Sequence, residues 1–187
     1  MPYDSATELI TYVEIVKIIT PDNYLGDPYD GMDSLYARGM KWLVAQFGEK
    51  EVKKMLADAK EMNSKDGSDL KGREGKSIIV TATLPLQVEI SEFQKVNGGL
   101  IRFDIELRFK EQAYRYKFNN IVHIEQDLGG EKEPIETYME YYLDAKKNIE
   151  HNDRILIATN NQMNMLVEEL KKTCAAMPFV DDDDWGW

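Results

Sequence analysis

The residues of this chain whose types could do chemistry are two histidines, one cysteine, two carboxylates spaced two apart, a Gly-Arg-Glu-Gly-Lys-Ser hexapeptide and a run of four aspartates. His123 and His151 have no histidine or cysteine neighbour at the spacing a zinc site needs, so both read as surface or strand-end histidines. Cys174 falls on an apolar helical stripe, where a buried, inert thiol is expected; a nucleophilic thiolate requires an accessible, electropositive setting. Residues Gly72 to Ser77 resemble a phosphate loop but lack its earlier glycine and lead into a strand instead of a helix. The run Asp181 to Asp184 lacks the central glycine and closing glutamate of a calcium loop. The spacings therefore imply no catalytic set, no metal and no cofactor.

Asp104 and Glu106 share one face of a strand, the kind of disposition from which a glycosidase draws its acid and base. Arg102 and Arg108 on the same strand, with Arg115 and Lys117 on the next, are expected on that face too, where cross-strand charge pairing accounts for the carboxylates. Arg102, Asp104, Glu106, Arg108, Arg115 and Lys117 are the candidate partner-binding face, locally cationic in an acidic molecule. Tyr138 and Tyr142, four residues apart on one helical stripe with Tyr141 beside them, read as core contacts.

These residues need elements to position them. Leu9 to Ile19 is β-branched and free of Gly and Pro, which predicts one long first strand. Tyr36, Met40, Leu43 and Phe47 recur at helical spacing, with Asp33 as N-cap and Gly48 past the end. A short second helix to about Ala57 follows, then an Asp66-Gly67 hairpin turn flanked by short strands. Ser77 to Ile90 alternates with one apolar face, and Pro85 within it implies an edge position or a bulge. Asn97-Gly98-Gly99 reads as the next turn. Leu100 to Lys110 alternates most clearly; a turn at Glu111-Gln112 would set Phe109 opposite Tyr114, Leu107 opposite Tyr116 and Ile105 opposite Phe118. After Gly130 a helix is expected from Pro134 through Leu143, and a last one carries Leu156, Thr159, Met163, Leu166, Val167, Leu170 and Cys174.

The fold class this order predicts is α+β, a single mainly antiparallel sheet with helices packed on one face. Residues 1–180 form one domain in this reading, and 181–187 an acidic, tryptophan-containing tail expected to be mobile. A net charge of -11, from 34 acidic and 23 basic residues, repels phosphate backbones and anionic lipid, so nucleic acid is not an expected partner. Leu9 to Ile19 is interrupted by Thr11, Glu14 and Lys17, which leaves no apolar run near the roughly 20 residues of a membrane helix. The opening Met-Pro-Tyr-Asp-Ser is not a secretory leader. A cytoplasmic location follows if Met1 is the native start, a cell-envelope or secreted one if a leader has been removed.

Four stretches together carry a family resemblance: Ile10 to Ile18 (ITYVEIVKI), Ser34 to Phe47 (SLYARGMKWLVAQF), Asp66 to Arg73 (DGSDLKGR) and Leu107 to Phe118 (LRFKEQAYRYKF). They resemble a bacterial domain-of-unknown-function family with a TATA-binding-protein-like fold. The resemblance implies strand, helix, antiparallel strands and closing helix in that order, and it brings no catalytic residues. Residues 48–58 look like an insertion relative to that family, and many relatives carry a secretory leader. The label describes architecture only, since one fold hosts unrelated functions. The expected function is a noncatalytic module binding a protein or polar ligand through the open charged sheet face. The alternative is a carrier of a small apolar ligand between sheet and helices, and the third reading an enzyme using the sheet-face carboxylates.

Overall fold

The computed structural model describes residues 1–24, 28–65, 75–91, 94–125 and 133–176, and the side chains of all of these except 61–65. Two short strands, β1 (Tyr3–Asp4) and β2 (Leu9–Ile10), pair with each other. Then follow β3 (Tyr12–Lys17), α1 (Met32–Phe47), α2 (Glu49–Lys65), β4 (Lys76–Ser91), β5 (Gln94–Lys110), β6 (Ala113–Glu125), β7 (Ile135–Tyr138), α3 (Met139–Asp144) and α4 (Ile149–Ala175). The main sheet is antiparallel in the order β3-β6-β5-β4, with β7 joining β6 on the same side as β3, beyond its end. The class is α+β, as the alternation of the strands predicts.

The core lies between the sheet and α1 and α4. Ile101, Phe103, Ile105, Leu107 and Phe109 of β5 are buried, as are Ile78, Val80 and Ala82 of β4 and Tyr114, Tyr116 and Phe118 of β6. The β5–β6 register is the expected one: Phe109↔Tyr114, Leu107↔Tyr116 and Ile105↔Phe118. Trp42 stacks on Phe118 with ring centroids 6.0 Å apart and planes 8° from parallel. Burying such aromatic side chains contributes roughly 1.5–3 kcal/mol each. In α4, Ile155, Thr159, Met163, Leu166, Val167, Leu170 and Cys174 form the buried stripe.

Close approach requires glycine at positions 39 and 99, among others. Gly39 of α1 lies so near Phe109 that a Cβ there would sit 2.4 Å from the ring. Gly99, at φ +90°, would place a Cβ 2.4 Å from the Ile124 carbonyl oxygen. The Asn97-Gly98-Gly99 segment is accordingly not a turn: it lies inside β5, where Pro85↔Leu100 gives way to Gln87↔Asn97 and one extra residue bulges from β5. Pro85 stands beside this irregularity, on a strand that among the described residues pairs with β5 alone, an edge position that tolerates its lack of an N–H.

Other elements depart from the periodicity. The first strand is broken at Thr11, whose N–H donates to the Pro2 carbonyl, 3.1 Å away, so β2 and β3 pair with different neighbours. Gly31, not Asp33, is the N-cap of α1, and Asp33 in the first turn pairs with Lys76 instead. Helix α2 runs to Lys65, past the expected end at Ala57 and through the place where a strand was expected before Asp66; Val52 and Met55 anchor it in the core. The Asp66-Gly67 turn and the 181–187 tail lie outside the described residues. Residues 135–138 are a strand because β6 offers them a partner, which local propensity cannot reveal. Only Met139–Asp144 is helical in the region where one longer helix was expected. Of the two tyrosines expected in the core, Tyr138 is therefore 60% exposed, while Tyr142 is partly buried against the core with the 67% exposed Tyr141 beside it.

Candidate functional site

An extra residue in β6 organises the face opposite the helices. Between Asp104↔Asn119 and Arg102↔Val122, β6 places two residues, Asn120 and Ile121, against the single Phe103 of β5, and Asn120 adopts φ 52°. Asparagine tolerates this left-handed conformation better than most side chains. The bulge reverses the facing of β6: Tyr114, Tyr116 and Phe118 point to the core, then Ile121 and His123. Asn120 thereby reaches Asp104, its Nδ2 donating to Oδ2 at 2.7 Å, while Thr81 Oγ1 donates to Oδ1 at 2.7 Å.

All six predicted face residues, Arg102, Asp104, Glu106, Arg108, Arg115 and Lys117, are half-buried neighbours on this one surface. Glu106 lies opposite Lys117 and pairs with Arg108 on its own strand; Arg115 Nη1 is 3.6 Å from its Oε1. Arg108 and Arg115 lie directly opposite each other. Such like-charge pairs cost about 0.2–1 kcal/mol, which the shared Glu106 offsets. Strand β7 adds a residue that the sequence reading missed. Glu136 takes both Arg102 guanidinium nitrogens, at 2.8 and 2.6 Å, and this hydrogen bonding holds its carboxyl below the usual range. Four cations then face three carboxylates, a surplus of one charge (4 − 3) where the six residues alone give two (4 − 2). Only placement of β7 beside β6 could have revealed Glu136.

The rim of the face is apolar on one side. Val13 is 49% and Ile15 63% exposed, lying opposite Lys117 and Arg115 respectively. On the β4 side a groove of ≈290 Å³ brings Ala59 of α2 together with Ile79, Thr81, Asp104 and Glu106.

Of the two histidines expected at the surface or at a strand end, His151 is exposed and His123 is buried. His123, 2% exposed, is a core residue: Nε2 lies 2.5 Å from the Gly98 carbonyl oxygen and Nδ1 2.7 Å from the Tyr142 hydroxyl. A carbonyl can only accept, so Nε2 carries the proton and Nδ1 is free to accept from Tyr142. The Gly98-Gly99 bulge makes room for this ring, since a Cβ on Gly99 would sit 3.1 Å from Nε2. His151, on the exposed side of α4, shares a groove of ≈270 Å³ with His123, Glu125 and Arg154. Among the described residues no group of three or more His, Cys, Asp or Glu is placed to hold a metal ion.

Cys174 is fully buried, and burial pushes its thiol up to about 12. The C-terminal end of α4 is held by Arg38, which donates to the Cys174 carbonyl and, at 3.2 Å, to that of Ala176. A cation at the carbonyl end of a helix is favoured by the helix dipole. A separate polar cluster joins β3 to α4: Glu14 accepts from Lys171 at 2.8 Å and from the Tyr116 hydroxyl at 3.0 Å, and both bonds hold its carboxyl low. No helix of the described residues is long and apolar enough to cross a membrane.

No protein-family model matches the chain, and no curated protein matches it significantly. Solved structures do. A TBP-like protein from Parabacteroides distasonis is similar with TM-score 0.47 and 9% identity, over 87% of this chain and 93% of that one. A DUF4468 family protein from Bacteroides ovatus is similar with TM-score 0.54 and 12% identity, over 92% of this chain and 90% of that one. At such identities a likeness speaks for architecture alone. The chain thus shares the fold of a bacterial protein from a domain-of-unknown-function family.

Proposed function

We propose that the chain is a noncatalytic binding module whose open sheet face engages a protein or polar ligand. The observation that carries this is the Arg108–Arg115 pair. Two guanidinium groups are set directly across from each other and share one carboxylate, and Arg115 lies opposite the exposed apolar Ile15. A face serving stability alone would alternate its charges. An anionic group of a partner would complete the arrangement and be oriented by it, since opposite charge speeds encounter and sets register. The carboxylates are engaged as structural partners, Asp104 by Thr81 and Asn120 and Glu106 by Arg108, which favours binding over acid–base chemistry. The grooves beside His123 and beside Asp104 are surface features with charged or polar members, so the carrier and enzyme readings gain no comparable support from them.

The test replaces Arg108 and Arg115 with glutamate, confirms an unchanged thermal midpoint, and compares partners retained from the source cell's extract. Each retained partner is then purified and titrated against both proteins. Affinity should fall at least tenfold in the double variant. Equal affinity removes the face as the site.

A further inference from the structure

β3 is one margin of the main sheet, and its register shows which of its backbone groups are unused. In an antiparallel pair every second residue exchanges both hydrogen bonds with its neighbour, and the residues between point their N–H and C=O outward. The Ile18 N–H donates to the Gln112 carbonyl at 2.9 Å, and the pairing continues Val16↔Tyr114, Glu14↔Tyr116, Tyr12↔Phe118. The even-numbered residues therefore bond β6, while Val13, Ile15 and Lys17 present their backbone groups to the outside. Thr11 obeys the same parity, and its outward N–H is taken by Pro2 at the end of β1. Among the described residues no hydrogen bond does the same for the N–H groups of Val13, Ile15 or Lys17. The opposite margin differs, because β4 has α2 and α4 packed along it and Pro85 within it.

A groove of ≈420 Å³ opens at the Thr11–Val13 end of this edge. Pro2 and Asp4 at β1, Tyr12 and Tyr116 of the sheet, and Asn164, Val167, Glu168 and Lys171 of α4 line it. On the other side of the edge stand Lys17 and, one strand in, Arg115 and Lys117 opposite Ile15 and Val13. We propose that the β3 edge accepts an extended acidic peptide as an added strand, continuing the line that β1 begins. Its backbone bonds Val13, Ile15 and Lys17; alternate side chains then fall on opposite faces. Carboxylates on one face meet Lys17, Arg115 and Lys117, and apolar residues on the other enter the groove beside Tyr12 and Val167. The inference extends the open-face reading but rests on the backbone of β3, not on Arg108.

The probe is a fluorescein-labelled, capped nonapeptide of alternating Glu and Val, titrated by anisotropy. Its controls are the same peptide with Lys for Glu and one N-methylated at alternate residues. Ile15→Pro removes one outward N–H without touching the β6 ladder, and proline is tolerated on an edge strand at such a position. Ile15→Ala keeps the N–H. The parent and Ile15→Ala should bind the acidic peptide within threefold of each other. Ile15→Pro should bind it at least tenfold more weakly, and the N-methylated peptide should lose as much on the parent protein, which holds even if Ile15→Pro does not fold. No binding of the acidic peptide, equal binding of the lysine peptide, or undiminished binding of the N-methylated peptide overturns the proposal. Loss on Arg108→Glu with none on Ile15→Pro assigns the peptide to the face and also overturns it. If sedimentation shows a dimer that Ile15→Pro dissociates, the edge belongs to a second copy of the chain and the peptide reading falls.

Discussion

Replacing Gly39 with alanine separates two effects of opposite sign. In an open helix interior the change would stabilise by about 0.8–1.0 kcal/mol, because glycine loses more backbone freedom than alanine. Here the new Cβ would stand 2.4 Å from Cζ and 3.0 Å from Cε1 of Phe109. Carbon atoms rest about 3.5–4.0 Å apart, so the ring must move by roughly 1 Å or more. It has little room: Phe109 is buried, edge-on to Tyr36 at 5.8 Å and 6.3 Å from Tyr114. Overpacking costs about 1–3 kcal/mol, and a ring so confined belongs in the upper part of that range. The net expectation is destabilisation of about 1–2 kcal/mol, a fall of roughly 0.5–1 M in the urea midpoint for a slope near 2 kcal/mol/M. Phe109→Leu shortens the offending side chain, so the two changes together should cost less than the sum of their separate effects by at least about 0.5 kcal/mol. A Gly39→Ala protein stabilised by about 1 kcal/mol would refute the reasoning, as would strict additivity in the cycle.

Leu107→Ala should cost about 2–5 kcal/mol in equilibrium denaturation, since Leu107 is fully buried between Tyr116 and Ile78 in register; a shift under about 0.5 kcal/mol contradicts its place in the core. Glu136 has its carboxyl lowered by Arg102, so the pair's contribution is present above the unfolded carboxylate range of about 4.3 and is lost as pH falls through the lower folded value. The stability difference between parent and Arg102→Gln should then shrink on acidification, and a difference that grows below about pH 4 would reverse the assignment. Cys174 should react with an aromatic disulfide reagent at pH 8 only as fast as the protein opens, and at once in denaturant; rapid labelling of the native protein would contradict its burial and raised thiol.

The parts of the fold legible in the sequence are those where local pattern and tertiary demand coincide. β5 alternates without interruption from Ile101 to Phe109, so one face must be buried, and the two-residue turn at Glu111-Gln112 leaves one register. α4 was legible for the same reason, its apolar stripe matching the buried residues from Ile155 to Cys174. The candidate face was legible as a list, because period two assigns Arg102, Asp104, Glu106 and Arg108 to one side wherever the strand lies. Its charge balance was not, because Glu136 belongs to a strand that exists only through pairing with β6.

Side-chain periodicity by itself determined the α+β class, the β5–β6 pairing and the polar identity of the open face, since burial of one face follows from the pleat and the helical turn regardless of neighbours. Tertiary structure alone decided the two bulges, the division of the first strand, the true extent of α2 and the burial of His123. Each depends on groups far apart in the chain. The Pro2 carbonyl takes the Thr11 N–H, the Ile124 carbonyl requires glycine at position 99, and Gly98 and Tyr142 close on His123 from separate elements. A local pattern records which face a residue prefers, but not which distant partner satisfies its hydrogen bonds, and here that partner sets where strands break and which polar groups can be buried.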